Sequence, residues 1–192
     1  MIFFLLALAL IGFYIMSLYN KLVRSRNAYK NAFSQIDVQL QRRFDLIPNL
    51  VEIAQKYMSH EREALENVIL ARNGAHAALN VAKKQSDEIS LTHLAQAETK
   101  LDLGLSRLFA LSESYPDLKA NTTMMQLSEE VASTENKVSF ARQSYNDAVM
   151  SYNNAVQEFP SSAIAGPFGF TQAPFYKKEN EEASKPVQIK FD

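Results

Sequence analysis

Long rows of apolar residues at helical spacing, with few glycines or prolines between them, constrain this chain more than any other feature. The 192 residues include 5 glycines and 6 prolines, and several of those prolines follow residue 159. Residues three and four apart lie on one face of a helix. The first such row is Tyr29, Phe33, Ile36, Leu40, Phe44 and Ile47. The pattern predicts an all-α fold of long helices.

Three further rows follow along the chain. The second is Val51, Met58, Leu65 and Val68, and the third is Leu94, Leu101, Leu108 and Tyr115. In the last row, large residues seven apart form a seam typical of a coiled coil, namely Met124, Val131, Val138, Tyr145, Tyr152 and Phe159. Because long helices can bury such rows only against one another, we expect an antiparallel four-helix bundle over residues 21–159.

The stretch RRFDLIPNLVE, residues 42–52, is interpreted as the first corner of this bundle. Proline costs about 3 kcal/mol in a helix interior, but its missing N–H costs little in the first turn. Asp45 would then be the N-cap, with Pro48 in the opening turn and Glu52 complementing the helix dipole. A kinked but continuous helix is the alternative, because the apolar spacing continues through Pro48.

The remaining corners are marked by turn and capping residues. Tyr115 and Pro116 are expected to end the third helix, and Pro160 to end the fourth. Thr123 with Gln126 forms a candidate capping box at the start of the fourth helix.

The first twenty residues, MIFFLLALALIGFYIMSLYN, carry no charged side chain. At about 1.5 Å per residue such a helix spans the roughly 30 Å of bilayer hydrocarbon, and its Leu, Ile and Phe side chains favour insertion by about 3 to 6 kcal/mol. The expected transmembrane anchor, residues 1–20, consists mainly of Ile2, Phe3, Phe4, Leu5, Leu6, Leu8, Leu10, Ile11, Phe13, Tyr14, Ile15, Leu18 and Tyr19. A cleaved signal peptide needs a basic start and a small-residue cleavage site, and neither is present.

Basic residues follow this segment at once, namely Lys21, Arg24, Arg26 and Lys30. By the positive-inside rule, they are expected to keep the body in the cytoplasm and the N-terminus outside.

Composition excludes several classes of function. A formal net charge of -1 offers no basic excess for nucleic acid, and the absence of cysteine excludes disulfides and thiolate chemistry. The motifs of di-iron bundles, phosphate-binding loops and nucleophile elbows are missing from the sequence. We therefore expect no catalytic residue, metal, cofactor or small-molecule substrate, and the chain is predicted not to be an enzyme.

Charged residues nevertheless fall on or beside the core rows, namely Glu61, Arg72, Glu98, Glu135 and Arg142. We interpret them as buried ion pairs that fix the register of the helices. The alternative is a metal or proton site in the bundle core.

The tail, residues 160–192, has a different composition, with Phe168, Phe170, Phe175 and Tyr176 among glycines and prolines. It is too apolar to be disordered and is expected to pack on the end of the bundle. The alternative places its aromatic rings in the membrane interface. Alternating apolar residues predict a short extended segment at 186–191.

Several stretches, among them YNKLVRSRNAYKNAFSQIDVQLQRRFDLIPNLVE, YPDLKANTTMMQL and ENKVSFARQSYNDAVMSYNNAVQEFP, are similar to the LemA family of bacterial membrane-anchored proteins. The resemblance runs from about Tyr19 to the C-terminus. It implies a single span in the bacterial inner membrane, a cytoplasmic helical bundle and no established enzymatic activity. The positions that carry the resemblance are expected to be structural: Arg43, Asp45, Pro48, Asn49, Glu52, Arg72, Glu98, Tyr115, Pro116, Asn136, Arg142, Tyr145, Asn146, Tyr152, Asn153, Phe159 and Pro160.

The resemblance also suggests partners, since some relatives help to build magnetosome membranes and others occur alongside membrane metalloproteases. We expect a non-enzymatic scaffold that forms homo-oligomers or organises partners at the lipid bilayer. An adaptor or regulator of a membrane metalloprotease is the alternative. A metal-binding enzyme using Glu61, Arg72, Glu98 and Glu135 is the third hypothesis.

Overall fold

The computed structural model describes residues 1–177, and every regular element within them is a helix. The elements are α1 (Ile2–Tyr57), α2 (Arg62–Gln85), α3 (Glu88–Ser112), α4 (Pro116–Lys119), α5 (Thr122–Gln157) and α6 (Ser162–Ala165). The predicted all-α class is confirmed. The extended segment predicted at 186–191 lies outside the described residues.

The chain divides into two compact units. The first comprises Met1–Ile36 and Ser139–Phe175, and the second comprises Asp37–Val138 with the described residues that follow Phe175. Helices α1 and α5 each contribute to both units. The division into anchor, bundle and tail at residues 20 and 159, and the antiparallel four-helix arrangement, remain predictions.

The core of the second unit draws on all four long helices. Its buried side chains include Leu40, Phe44, Ile47 and Leu50 of α1, Val68 and Leu79 of α2, Leu94, Leu101 and Leu108 of α3, and Val131 and Val138 of α5. Most of the apolar rows read from the sequence therefore do form buried faces, which is where the burial of apolar area stabilises the fold.

The corner predicted at RRFDLIPNLVE is wrong, because α1 continues through Pro48 to Tyr57. Asp45 therefore lies inside a helix and is not an N-cap. The physical reason is burial: Phe44, Ile47 and Ala54 are fully buried on one face that runs past the proline. A break at Pro48 would take the apolar residues after it off that face.

The cost of Pro48 is reduced by a side chain from the next helix. Proline has no N–H, so the carbonyl oxygen of Phe44, four residues earlier, lacks its helical donor. Arg72 of α2 donates its Nε–H to that oxygen at 3.0 Å. An unpaired buried acceptor costs about 1–3 kcal/mol, so this bond stabilises the continuous helix.

The chain turns instead between Tyr57 and Arg62, so the predicted row of Val51, Met58, Leu65 and Val68 spans two helices and is wrong as a single helix. Met58 in this turn is fully buried. Tyr115 donates its hydroxyl to Glu61 at 3.4 Å, which ties the turn to the segment before α4.

The remaining helix ends agree in part with the sequence. Asn121, not Thr123, caps the start of α5, because its Oδ1 accepts the N–H of Met124 at 3.0 Å, and Thr123 lies inside the helix. The helix ends at Gln157, just before Pro160, as expected. Phe159 is 86% exposed, so the buried seam ends at Tyr152.

We predict that Pro48 and Arg72 are energetically coupled. Arg72→Met should lower the free energy of unfolding by about 1–3 kcal/mol, because the carbonyl of Phe44 loses its donor. In a Pro48→Ala background the restored N–H reaches that carbonyl, and the same substitution should cost under about 1 kcal/mol. Denaturant unfolding of the full-length protein in detergent, followed by circular dichroism, measures both. Arg62→Met, at an exposed arginine paired with Glu66, is the control, and equal costs in the two backgrounds would contradict the coupling.

Candidate functional site

The apolar segment at the start of α1 is long enough to cross a membrane. Its 18-residue window has a mean hydropathy of 2.4, and none of that window is buried. The residues predicted as the anchor are exposed from Ile2 to Ile15, with Leu18 half-buried at the end. Within residues 1–177 the large apolar side chains of this segment are exposed, in contrast to the buried rows further along the same helix.

Aromatic residues cluster where this segment ends. The ring of Tyr19 lies edge-on to Phe168 at 5.2 Å and to Phe170 at 5.7 Å between centroids. The guanidinium carbon of Arg26 lies 4.8 Å from the centroid of Phe170, a cation–π distance. The tail is therefore fastened to the helix just after its apolar segment.

From this cluster the tail continues along α5, held by its backbone groups. Tyr152 donates its hydroxyl to the carbonyl of Thr171 at 2.9 Å, and Tyr145 donates to the carbonyl of Pro174 at 3.0 Å. The Asn153 amide donates to the carbonyl of Ala173 at 2.9 Å and accepts its N–H at 2.8 Å.

Asn153 thus satisfies both polar groups of one peptide residue, as a neighbouring strand would. Sequence reasoning selected Tyr145, Tyr152 and Asn153 by resemblance but missed this role, because nothing in the spacing indicates which segment they contact.

An aromatic group joins α1 to α5 in the first unit. Tyr29 contacts Tyr152 at 5.0 Å and Tyr145 at 6.3 Å, and Phe33 contacts Tyr145 at 5.8 Å. Later residues of α5 meet earlier residues of α1, so the two helices run antiparallel here. Burial raises the pKa of Tyr29, Tyr145 and Tyr152. The hydroxyls of Tyr145 and Tyr152 therefore stay protonated, as their hydrogen bonds to the tail require.

In the second unit, a buried arginine links three helices. Arg43 of α1 is 2% exposed, and its Nη2 lies 2.7 Å from Asp102 of α3 and 3.1 Å from Glu135 of α5. The planar guanidinium is suited to such a double contact. Removing one member of a buried ion pair costs about 3–5 kcal/mol, so this cluster holds the alignment of its helices.

The other charged residues of the core rows have separate partners. Glu98 is buried and accepts the hydroxyl of Tyr176 at 2.7 Å, while Arg72 lies 3.9 Å from exposed Asp45. Glu61 accepts from Tyr115. Among the other positions selected by resemblance, Arg142 is buried and Asn146 is half-buried. The exposed ones include Asn49, Glu52 and Asn136. Pro116 is the first residue of α4.

These contacts bear on the metal-site hypothesis. Glu61, Glu98 and Glu135 each contact a different residue, namely Tyr115, Tyr176 and Arg43. Among residues 1–177, no group of three or more His, Cys, Asp or Glu side chains is placed to hold a metal ion.

The four tail aromatics, grouped in the sequence as candidates for the membrane interface, have different surroundings. Phe170 and Tyr176 are buried, the former against Tyr19 and the latter against Glu98. Phe168 and Phe175 remain exposed.

A groove of about 700 Å³ lies beside the turn between α1 and α2. Val51, Met58, Leu65 and Ile69 are among its lining residues. Its two charged residues, Arg62 and Glu66, pair with each other at 2.8 Å. The groove therefore offers apolar side chains and no obvious reactive group.

The profile of the LemA family matches residues 32–191, which is most of the chain. The chain belongs to the LemA family. The protein LemA of Metamycoplasma hominis is 25% identical over 145 residues, which cover 76% of this chain and 62% of that protein. The chain thus matches less than two thirds of the length of this LemA relative. The LemA match begins after the apolar segment. It therefore concerns the folded body and does not bear on the proposed anchor.

We predict that Arg43 is structural. Arg43→Met should lower the free energy of unfolding by about 3 kcal/mol, because Asp102 and Glu135 lose their shared cation. Its neighbour Arg42 is the matched control, since it is 57% exposed and lies 3.9 Å from Glu130, and Arg42→Met should cost at most about 1 kcal/mol. Denaturant unfolding measures both, and similar costs for the two variants would contradict the assignment.

Proposed function

We propose that this LemA-family protein is a single-pass scaffold of the bacterial inner membrane, without enzymatic activity. Its N-terminus lies outside, its body lies in the cytoplasm, and its helical faces bind copies of itself or partner proteins.

The observation that carries the proposal is that one helix, α1, combines an unburied apolar segment with core residues of the folded body. The same helix provides the exposed Phe3 and Phe13 and the buried Leu40 and Phe44. Exposure of so many large apolar side chains to water is unfavourable by about 25 cal/mol per Å², and a bilayer removes that cost. Tyr19, at the end of the segment, packs into the folded unit, which favours a retained anchor over a cleaved leader.

The basic residues that follow the apolar segment support the proposed orientation of the chain in the membrane. Lys21, Arg24 and Lys30 are exposed within the first turns after the apolar segment. Each basic residue near an anionic cytoplasmic leaflet contributes about 1 kcal/mol of attraction, and translocation of such residues is disfavoured.

A scaffold role is supported by how the polar groups of the core are used. Arg43, Glu98, Arg72 and Asn153 each bind another part of the same chain. Tethering confines the protein to two dimensions and raises its effective concentration, so weakly interacting helical faces can assemble.

Topology can be tested by cysteine labelling, since the chain contains no cysteine. We predict that a cysteine in a short polar extension inserted after Met1 reacts with a membrane-impermeant maleimide in intact spheroplasts, whereas Lys177→Cys reacts only after lysis. Deletion of residues 2–18 should release the protein from membranes that retain the full-length chain at alkaline pH. Labelling of Lys177→Cys in intact spheroplasts would contradict the orientation, and release of the full-length chain would contradict the anchor.

Self-association is predicted for the full-length protein in nanodiscs or mild detergent at micromolar concentration. Mass measurement should give a multiple of the 21.7 kDa chain mass, because the tethered faces meet at high local concentration. A single-copy mass would refute homo-oligomerisation. Co-purification of a metalloprotease from native membranes with a single-copy scaffold would favour the adaptor alternative.

A further inference from the structure

We infer that the segment Phe159–Phe170 forms a second contact with the membrane, in which the rings of Phe159 and Phe168 enter the headgroup region. The inference rests on the proposed membrane anchor. The twelve residues of the segment, FPSSAIAGPFGF, carry no charged side chain. The binding partner that we infer for this segment is the lipid bilayer itself.

The segment lies close to the level at which the anchor reaches the lipid headgroups. An anchor that begins near Ile2 and crosses about 30 Å of hydrocarbon reaches the headgroups close to Tyr19. The rings of Tyr19 and Phe168 are 5.2 Å apart. Phe168 therefore lies at the same depth, because the headgroup layer on each side is itself about 5 to 7 Å thick.

The antiparallel pairing of α1 and α5 also indicates the level at which Phe159 lies. Phe33 contacts Tyr145, and Tyr29 contacts Tyr152. Continuing this pairing to Gln157, the last residue of α5, brings that residue roughly level with Arg24, which is about 7 Å along the helix from Tyr19. Phe159 follows two residues later and so lies within about 7 Å of that level.

The phenylalanine side chains of the segment differ in their exposure. Phe170 is 3% exposed and belongs to the core, whereas Phe159 is 86% and Phe168 55% exposed. Rings of this size at the end of a membrane anchor are suited to the interface, where apolar side chains leave water without entering the hydrocarbon centre.

The backbone N–H groups of residues 168–170 already donate hydrogen bonds within the segment. Phe168 donates its N–H to Ile164 at 3.2 Å, Gly169 to Gly166 at 3.0 Å, and Phe170 to Ala165 at 2.9 Å. Peptide groups paired in this way lose little when water is withdrawn. Lys21 and Arg24 are exposed nearby along α1 and suit anionic headgroups, while Glu158 next to Phe159 opposes them.

The test uses single tryptophans, because the chain contains none. Phe159→Trp and Phe168→Trp are placed separately in the full-length protein and reconstituted in bilayers of brominated phosphatidylcholine with anionic lipid. Both should lose emission intensity, more with bromine near the headgroup than with bromine deep in the acyl chain. Phe13→Trp should be quenched most by the deep bromine, and Phe140→Trp, exposed about 25 Å along α5 from its C-terminal end, should be quenched only by aqueous iodide.

The outcomes separate this inference from the anchor. Quenching at Phe13→Trp without quenching at either 159 or 168 overturns the inference and leaves the anchor intact. Failure of lipid quenching at Phe13→Trp overturns the anchor and the inference together. Tryptophans at 159 and 168 that are shielded from iodide but not quenched by lipid are covered by protein, and that result also overturns the inference.

Discussion

The carbonyl oxygen of Phe44 has lost its helical donor to Pro48, and Arg72 from α2 replaces it. This bond allows α1 to continue as one helix past a proline that would otherwise favour a break. Its continuity matters because the apolar N-terminal segment and core residues such as Ile47 and Ala54 belong to the same element. A break there would separate the helix that carries the apolar segment from part of the face that it buries in the second unit.

Several polar groups inside the fold bind another part of the chain itself. Arg43 joins Asp102 and Glu135, Glu98 accepts from Tyr176, and Asn153 holds a tail peptide. Buried charges and amides are costly unless paired, so their presence indicates strict alignment more directly than it indicates chemistry. This use of polar residues is consistent with a sequence in which Arg43, Glu98 and Arg142 are buried but no catalytic motif is recognised.

Much of the fold follows from periodicity, because burial of a helical face requires apolar residues at fixed spacing. The buried rows at Leu94, Leu101 and Leu108, and at Val131 and Val138, were predictable for this reason. The corner at Pro48 was not, since the donor that makes the proline tolerable lies 24 residues further along the chain. Asn121 and Thr123 are both good caps by type, and only the geometry decides between them.

The same limit applies to the candidate site. The aromatic tail and the N-terminal apolar segment were each visible in the sequence, but their meeting at Tyr19 is a long-range contact that no local pattern encodes. The hydrogen bond from the Tyr176 hydroxyl to Glu98 is likewise a long-range contact, between residues 78 positions apart in the sequence.

The way Asn153 holds the tail has a consequence for which residues can stand there. The amide recognises the N–H and carbonyl of Ala173, groups that every amino acid except proline supplies. The neighbouring Thr171 and Gln172 are exposed, and Thr171 is bound through its carbonyl. This part of the tail can therefore vary widely in side-chain identity while keeping its course, provided that position 173 stays small and retains its amide hydrogen.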